Sequence, residues 1–447
     1  MKKYESYQPM GLPWLSRIPH HWSISRNKNV FEESKETVGE NFSRYTLLSL
    51  TLRGIIPRDV SSGKGKFPQS FDTYKKVDVG DMAFCLFDID ETPRTVGLSE
   101  HQGMLTGAYN IFHVKNINPQ YINYYYLSLD MAKAMKPLYT GLRKAIGIDS
   151  FMGTKIPVPP REEQNQIVRY LEWQTSKINR LIAAKKQQIQ VLREQQQKLI
   201  CEVITKGLHS DADYKDSHIA WIGNIPSHWS AIRCKYLFRE RDERSKEGKE
   251  THLSMSQKYG LVPDSQLDER RMLSESYAGG KLCYQDDLVL NRLKAHLGVF
   301  ALAPQFGVIS PDYTVLIPNT ERILPSFGEM VLKSALCRRE LRVRVRGIIE
   351  GFWRLYTDDF YTIYLPVPPI EEQKEIMQYI DAQAKKASAV ENALNREIEL
   401  LHELRTRLIS DVVTGQIDVR SIEVPDFELV EETADEAEKS EDEGDVE

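Results

Sequence analysis

The clearest pattern along the chain is a heptad repeat of apolar residues that occurs twice, near the middle and near the end. In each stretch one position recurs every seven residues and a second follows four residues later, and from Ile178 and Ile380 onward both are apolar except at Lys185, Gln196, Glu391 and Arg405. The first stretch contains Leu171, Ile178, Ile182, Ile189, Leu192, Leu199 and Val203. The second contains Ile380, Ala387, Leu394, Ile398, Leu401, Leu408 and Val412. Such a seam, sustained over about five heptads, predicts two long helices that each bury one stripe.

The predicted helices begin with the same signals. Pro159-Pro160 and Pro368-Pro369 precede them, and Glu162-Glu163 and Glu371-Glu372 place carboxylates at the positive end of the helix dipole. A helix of about 45 residues spans roughly 67 Å and is unstable alone unless its stripe is buried. We therefore expect the two helices to form an antiparallel coiled coil with a pseudo-two-fold axis. Alternatively, each helix packs on its own domain or on another protein.

A second repeat surrounds the helices. Trp14, Ile18-Pro19 and His21-Trp22 return 207 residues later as Trp221, Ile225-Pro226 and His228-Trp229, and the string PVPPxEEQ at 157–164 returns at 366–373. These matches predict two copies of one domain plus a connector. The predicted segments are a globular domain at 1–156, a helical spacer at 157–207, a second domain at 208–365, a second spacer at 366–418 and a tail at 419–447.

The two globular segments mix short apolar stretches, rich in β-branched and aromatic residues, with turn signals such as Asn118-Pro119 and Gly279-Gly280. A helical pattern from Tyr121 to Lys136 interrupts the first. The fold class expected is mixed α/β, with two duplicated globular domains joined by the two long helices.

Charge is distributed unevenly. The chain has a formal net charge of −5, but from Glu423 onward there are 13 acidic residues and one Lys, a net of −12. The rest is therefore at −5 + 12 = +7. This predicts a disordered acidic tail after a mildly basic body, which is compatible with a polyanionic partner.

The composition also bounds the setting. The five cysteines lie far apart without a CxxC pair, so neither a disulfide framework nor a zinc cage is expected. No apolar run approaches the roughly 18 residues of a membrane span, and the first residues lack a secretory apolar core. We expect a cytoplasmic protein.

The paired openings, the paired PVPPxEEQ helix starts and the paired helix ends (199–205 and 408–414) together resemble the specificity subunit of type I restriction-modification enzymes. The resemblance covers residues 4 to about 420. The acidic tail is outside the family pattern.

The resemblance implies that each globular domain is a target-recognition domain for one half of a split, asymmetric double-stranded DNA site. It implies that the long helices hold the halves apart and bind two methyltransferase (modification) subunits, with restriction subunits completing an ATP-driven nuclease. S-adenosylmethionine, ATP and Mg²⁺ are expected in those partner subunits, and no cofactor or metal in this chain.

Catalytic motifs are missing from the sequence. It contains no GxxxxGK[ST], no Asn/Asp-Pro-Pro-Tyr, no HExxH and no GxSxG, and its ten histidines do not cluster with cysteine at metal-ligand spacing. The chain is therefore predicted to be non-catalytic.

Basic residues are the remaining candidates for DNA contact. Alternation in 341–346 predicts a strand with Arg342, Arg344 and Arg346 on one face, where guanidiniums suit phosphates and guanine edges. A solvated face, or one paired to carboxylates, is the alternative. The remaining candidates are Arg143 and Lys144 after Gly141, Arg354 after Gly351, Lys64 and Lys66, and Arg292 and Lys294. The repeated tryptophans are more typical of core packing than of platforms for stacking bases.

Two functions stay open at this point. The first is a non-enzymatic DNA sequence reader and assembly scaffold. The second is a coiled-coil adaptor whose two globular ends bind proteins.

Overall fold

The computed structural model describes residues 2–58, 71–139, 144–209, 211–256, 259–266, 277–347 and 353–431. The chain divides into two compact units. Unit 1 comprises Met1–Gln187 and Leu394–Glu447, and unit 2 comprises Gln188–Ala393. The candidates Lys64, Lys66 and Arg143 lie outside the described residues.

Among the described residues, unit 1 opens with twelve short strands. They are β1 (Tyr7–Leu12), β2 (Leu15–Pro19), β3 (Ser23–Arg26), β4 (Phe31–Ser34), β5 (Leu48–Thr51), β6 (Gly54–Pro57), β7 (Lys75–Val77), β8 (Met82–Phe84), β9 (Val96–Leu98), β10 (Gly103–Leu105), β11 (Asn110–Val114) and β12 (Lys155–Val158). The helices α1 (Pro119–Met131) and α2 (Ile148–Gly153) separate β11 from β12. Helix α3 (Arg161–Lys206) follows and continues into unit 2.

Unit 2 repeats this order. Its strands are β13 (Tyr214–Asp216), β14 (Asn224–Pro226), β15 (Ser230–Arg233), β16 (Phe238–Arg241), β17 (Leu253–Ser256), β18 (Gly260–Pro263), β19 (Lys281–Cys283), β20 (Leu288–Asn291), β21 (Phe300–Leu302), β22 (Gly307–Ile309), β23 (Tyr313–Pro318) and β24 (Tyr364–Val367). Its helices are α4 (Cys234–Leu237), α5 (Pro325–Lys333), α6 (Ala335–Arg344) and α7 (Thr357–Tyr361), followed by α8 (Ile370–Val413).

The central sheets have equivalent strand orders, β4-β11-β8-β9 in unit 1 and β16-β23-β20-β21 in unit 2. All of their strand pairs are antiparallel. Alternation along β8 shows how each sheet serves two cores. Met82 and Phe84 point into the large core beside the helices, and Ala83 points into a smaller core with Leu48 and Ile55 of the β5–β6 hairpin. In β20, Leu288 and Leu290 enter the large core of unit 2 and Val289 the small one.

The two long helices pack antiparallel, as predicted. In unit 1, Lys185 of α3 pairs with Glu397 of α8, and Asn179 accepts a hydrogen bond of 3.0 Å from Arg405, so partner numbers fall as α3 numbers rise. In unit 2, Arg193 Nε lies 3.2 Å from Glu391 Oε1. The predicted seam residues are buried or half-buried: Leu171, Ile178, Ile182, Ile189, Leu192, Leu199, Ile380, Leu394, Ile398, Leu401 and Leu408. Lys185, the odd polar residue of the seam, therefore meets a carboxylate.

The disordered tail predicted at 419–447 requires a correction. Residues 419–431 lie against the first half of α3 without regular secondary structure, and Val419 and Val424 are buried there. The acidic composition of this segment hid two valines and Phe427, which are spaced to anchor an extended chain on a helix. Residues 432–447 lie outside the described residues.

Candidate nucleic-acid interface

The repeated sequence motifs form one cluster in each unit, which we call the His–Trp–Glu cluster. In unit 1, the Glu163 carboxylate accepts hydrogen bonds from Trp22 Nε1 at 3.0 Å and Tyr4 Oη at 2.5 Å, and it lies 2.7 Å from His21 Nε2. Trp22 and Tyr4 are buried. The cluster therefore fixes the start of α3 to the first residues of the chain.

The same cluster recurs in unit 2. Glu372 accepts a hydrogen bond of 3.0 Å from Trp229 Nε1 and lies 2.7 Å from His228 Nε2. Trp22 and Trp229 are 1% and 0% exposed, which confirms core packing and excludes both rings as platforms for bases. The motif that carries the duplication is thus architectural.

The glutamine that ends each PVPPxEEQ string forms a second contact at the start of each long helix. Gln164 accepts a 2.8 Å hydrogen bond from the Asn118 backbone N–H and donates one to Pro159 O, also at 2.8 Å. Gln373 likewise accepts from the Leu324 N–H and donates to Pro368 O. Both side chains are buried, so each joins the helix start to the loop that precedes the adjoining helix, α1 or α5.

The strand predicted for the arginine row in unit 2 is wrong, because residues 335–344 form helix α6. Ser334 caps this helix by accepting a hydrogen bond from the Cys337 N–H, and Cys337 and Leu341, four residues apart, face the core. Val343, which the alternation placed with Leu341 on the face opposite the arginines, is 74% exposed, whereas Leu341 is buried. In this nine-residue run, the helical period of 3.6 residues was mistaken for the period of 2 of a strand.

Helical geometry separates the three arginines. Arg342 is exposed, whereas Arg344 donates to Glu340 Oε1 at 2.7 Å and to Thr362 at 2.9 Å. Arg346 pairs with Asp359, although its side chain is 71% exposed. The carboxylate-paired alternative thus describes Arg344 best and Arg346 in part.

The fold brings several cations of unit 2 together, of which Arg342, Arg346, Arg354 and Lys294 are exposed and Arg292 is half-buried. Arg346 and Arg354 form a two-way backbone bridge, with N···O distances of 2.9 and 2.8 Å, and the next N–H, of Leu355, donates to Arg292 O. His296 stacks edge-on against Trp353, with ring centroids 5.4 Å apart. Burial, and then the Arg342 charge, lower the pKa of His296. We call the cluster of Arg292, Lys294, His296, Arg342, Arg346 and Arg354 the basic cluster of unit 2.

Sequence reasoning missed His296 and the neighbouring Arg338, whose side chain lies close to Gly298. His296 lies near the predicted Lys294 but in no basic run, whereas Arg338 opens the run at 338–346 but was not chosen, because the predicted strand face comprised Arg342, Arg344 and Arg346. Their position depends on the contact of α6 with the turn 295–297, which no local pattern encodes.

In unit 1 the described candidate is Lys144, whose ammonium lies 2.9 Å from Glu91 and 3.3 Å from Asp90. These two contacts are those of an ordinary surface ion pair. Unit 1 also has a cavity of about 210 Å³, whose polar lining residues are Arg53, Arg94, Glu100, His101, Gln120, Asn123 and Glu431. Arg94 and His101 were not singled out from the sequence.

Other chemistry is limited in the part of the chain that the structure describes. There, no three His, Cys, Asp or Glu side chains come together as a metal site would require, and no helix is long and apolar enough to cross a membrane. The five cysteines are unpaired. Burial raises the pKa of Cys283 to about 12 and also raises the pKa of Cys85. These thiols are poor nucleophiles at neutral pH.

Known proteins resemble the chain along its length. A family model described as the type I restriction modification DNA specificity domain matches residues 103–191. The putative type I restriction enzyme MjaX specificity subunit of Methanocaldococcus jannaschii is 22% identical over 442 residues, which cover 91% of this chain and 96% of that protein. The MjaVIII specificity subunit of the same organism is 23% identical over 290 residues, covering 61% and 64%.

A solved structure has a similar fold. It comes from work on the structural basis underlying complex assembly and conformational transition of the type I R-M system, and the matched chain has a TM-score of 0.61 at 14% identity. The match covers 90% of this chain and 99% of that one. This likeness confirms the predicted fold class.

Proposed function

We propose that the chain is the specificity subunit of a type I restriction-modification system, which its similarity to such subunits supports, and that it reads a bipartite, asymmetric double-stranded DNA site and holds two modification subunits. Unit 1 contributes one reading domain and unit 2 the other. The chain itself makes and breaks no covalent bond. S-adenosylmethionine, ATP and Mg²⁺ belong to the modification and restriction subunits that assemble with it.

One observation carries this proposal. The same His–Trp–Glu cluster and the same central strand order recur in both units, while the charged residues around them differ. Where unit 2 gathers its basic cluster, the one described candidate of unit 1, Lys144, is neutralised by Asp90 and Glu91. A common frame with unlike surfaces suits two readers of two different half-sites better than two equivalent protein-binding ends.

Within unit 2 we assign DNA contact to Arg292, Lys294, Arg342, Arg346 and Arg354. Their guanidinium and ammonium groups can donate to phosphate oxygens, and an arginine can also donate twice to a guanine edge. Arg344 is the weakest member of the predicted row, because Glu340 and Thr362 already occupy its donors. In unit 1 the predicted contacts are Lys64, Lys66, Arg143 and Lys144.

The modification subunits are assigned to the helix pair. Large apolar side chains stay exposed on it, among them Leu181 at 52%, Val390 at 50% and Leu404 at 51%. In unit 2, Leu192, Leu199 and Val390 also line an apolar groove of about 300 Å³ between α3 and α8. Exposed apolar surface of this kind is typical of a protein interface.

The test is to map methylated adenines in cells that hold the modification subunit with the wild-type chain, without the chain, or with variants of it. We expect a bipartite motif that disappears without the chain. Arg342→Ala combined with Arg354→Ala should relax one half of that motif only, at a cost of about 1–3 kcal/mol per lost base contact. Arg344→Ala is the matched control and should leave the motif unchanged. A motif that does not depend on the chain would contradict the proposal.

A further inference from the structure

The two long helices carry the same stripe of residues at equivalent positions. On α3 the stripe comprises Tyr170, Lys177 and Leu181, and the 209-residue offset of the repeat places its counterpart on α8 at Tyr379, Lys386 and Val390. In each helix the lysine and the aliphatic residue follow the tyrosine by 7 and 11 positions, which are close to two and three whole turns. The three residues therefore lie on one face, which we call the Tyr–Lys stripe of that helix.

A segment of the same chain lies beside the stripe of α3. Residues 416–431, which we call the C-terminal strap, run along the first half of this helix. Gln166 Nε2 donates to Val419 O at 3.0 Å, and Asn179 Nδ2 donates to Val430 O at 2.8 Å. These bonds hold the strap against the turns of α3 between Gln166 and Asn179, which include the tyrosine of the stripe.

The two stripes differ in how much of each is exposed. Tyr170 is 3% exposed and belongs to the same large core as the strap residue Val424, whereas Tyr379 is 37% exposed. At the other end of the stripes, Leu181 and Val390 are alike at 52% and 50% exposed. The stripe is therefore open at both ends in unit 2 and closed at its tyrosine end in unit 1.

Unit 2 also has an apolar groove beside its stripe. The groove measures about 300 Å³, and its lining includes Leu199, Ala387 and the stripe residue Val390. In unit 1 the position of Ala387 holds the larger Ile178, and the position of Leu199 holds Leu408. Ile178 and Leu408 are 6% and 5% exposed, because larger side chains pack there. The alanine of α8 leaves the space that the groove occupies.

The first globular domain covers a further part of the helix pair in unit 1. Helix α1 has 13 residues, against nine in α5, which holds the same place in the order of unit 2. At the end of α1, Met131 Sδ accepts a hydrogen bond of 3.6 Å from Thr406 Oγ1 of α8. The position on α3 equivalent to Thr406 is Gln197, which is exposed. The longer helix thus contacts a position whose counterpart in unit 2 is open.

The lysines of the two stripes have different neighbours. Lys177 Nζ lies 3.7 Å from the centre of the Trp173 ring, whereas the position of Trp173 in α8 holds Ala382. Lys386 is exposed and lines the groove. The ammonium group of unit 2 is therefore placed to meet a carboxylate of a partner.

The rest of the lining indicates what the groove can hold. Its other described polar residues are the uncharged Gln195, Gln196 and Gln383. The nearest carboxylate in sequence to Val390, that of Glu391, is paired with Arg193. The groove thus suits apolar side chains of a partner helix, with a carboxylate of that helix beside Lys386.

We infer that the helix pair binds its two modification subunits unequally: tightly through the open stripe and groove of unit 2, and weakly through the stripe of unit 1, which the strap and α1 partly cover. This inference rests on the proposed function, which assigns both modification subunits to the helix pair. The strap acts as a built-in competitor at one of two otherwise equivalent sites. Assembly therefore passes through a complex with one modification subunit, bound at unit 2.

The experiment titrates purified modification subunit into the full chain. Native mass spectrometry measures the complexes that contain none, one and two of these subunits. We expect dissociation constants that differ on the order of tenfold beyond the statistical ratio of identical sites, because burial of one further large apolar side chain corresponds to about that factor. Constants in the statistical ratio would overturn the inference alone. If no modification subunit binds, the proposed function fails and the inference with it.

A matched pair of variants assigns the two steps. Leu181 and Val390 are equivalent and equally exposed, so Leu181→Asp and Val390→Asp place the same charge on the two stripes. Val390→Asp should weaken the first step to about the strength of the second. Leu181→Asp should leave the first step unchanged and weaken the second. The reverse pattern, or the same effect from both variants, would overturn the assignment of the tight site to unit 2.

The titration also distinguishes a different occupant of the groove. If the chain alone associates with a second copy of itself and Val390→Asp abolishes that association, the groove is an interface between copies and the inference is overturned. A chain that stays monomeric before the titration supports the modification subunit as the occupant.

Ile422→Ser combined with Phe427→Ser tests the strap. Both side chains are half-buried, so these changes should loosen the strap while the core stays folded, and amide exchange along 161–187 reports its release. The second step should then tighten toward the first, and the first should not change. A second step that keeps its strength after the strap has been released would overturn the role of the strap as a competitor.

Discussion

The His–Trp–Glu cluster occurs in both units, but its carboxylate has more side-chain partners in unit 1 than in unit 2. In unit 1, Glu163 has three side-chain partners, Tyr4, His21 and Trp22, whereas in unit 2 Glu372 has two, His228 and Trp229. The position equivalent to Tyr4, by the 207-residue offset, is the exposed Asp211. The duplicated frame therefore keeps the tryptophan, histidine and carboxylate and varies what surrounds them.

A buried aspartate just before a strand of each central sheet likewise combines a shared feature with one that differs between the units. Asp81 and Asp287 each accept a backbone N–H three residues earlier at 2.9 Å, so both close a turn. The partner differs, because His113 on β11 lies 2.6 Å from Asp81, whereas Arg241 on β16 lies 2.8 Å from Asp287. The turn belongs to the common frame, and the residue that compensates its charge is particular to each unit.

The largest expected effect comes from removing the tryptophan of one cluster. Trp22→Ala should lower the free energy of unfolding by about 3–5 kcal/mol, because a fully buried ring is lost. Trp229→Ala should cost about the same, since both rings are fully buried. Amide exchange read by peptide mass spectrometry should show lost protection in the unit that carries the change. Trp14→Ala is the control and should cost less, because Trp14 is only half-buried. Equal losses for Trp14 and Trp22 would contradict the cluster's role.

Neutralising the carboxylate of the His–Trp–Glu cluster should reduce stability more in unit 1 than in unit 2. Glu163→Gln removes a charge that three partners share, whereas Glu372→Gln removes one that two partners share, so we expect losses of about 2–3 and about 1–2 kcal/mol. Denaturant unfolding of each variant measures the difference. Tyr4→Phe should then cost less in the Glu163→Gln background than in the wild type, because an uncharged amide oxygen accepts the Tyr4 hydroxyl more weakly than a carboxylate does. A larger loss for Glu372→Gln would reverse the comparison.

The repeats made much of the frame predictable. The paired seam, the proline–glutamate helix starts and the Trp motifs are local patterns of known period, and they gave the two long helices and the duplicated domains. The buried valines of 419–431 were hidden by averaging charge over the whole tail. The apolar residues Val419, Val424 and Phe427 did indicate packing, but this could be recognised only by knowing that α3 offers a surface on which they pack.

The candidate site was less predictable for a physical reason. Arg342, Arg292 and Arg354 come together through the packing of α6 and the Arg346–Arg354 bridge, which are tertiary contacts. These residues could be named as candidates from the sequence, but which of them lie close together in space could not be predicted. In α6 the decisive local signal was Ser334 as a helix cap, which outweighs alternation in a short run.

A smaller effect should follow from the residue that compensates the buried aspartate. Arg241→Met leaves Asp287, which is 3% exposed, without its bidentate partner, so a loss of about 2 kcal/mol is expected once partial solvation is allowed for. His113→Phe in unit 1 should cost about 1 kcal/mol, because it removes a single hydrogen bond. The measurement is denaturant unfolding at neutral pH, with Arg244→Met as the control for removing an exposed arginine. Equal losses for Arg241 and His113 would show that the two units compensate the turn alike.

The smallest effects are expected along the helix pair, where each unit has its own ion pair. Lys185 meets Glu397 in unit 1 and Arg193 meets Glu391 in unit 2. A double-mutant cycle should give a coupling of about 0.5 kcal/mol for either pair, because each has one well-exposed partner.

Lys185 differs in occupying a seam position, and polar seam residues act mainly on register. Lys185→Leu should therefore leave stability nearly unchanged while allowing α3 and α8 to shift within unit 1. Crosslinks between cysteines placed at Asn179 and Arg405 detect such a shift, and Arg193→Leu, outside the seam, is the matched control. Identical crosslinking in the two variants would show that Lys185 does not set the register.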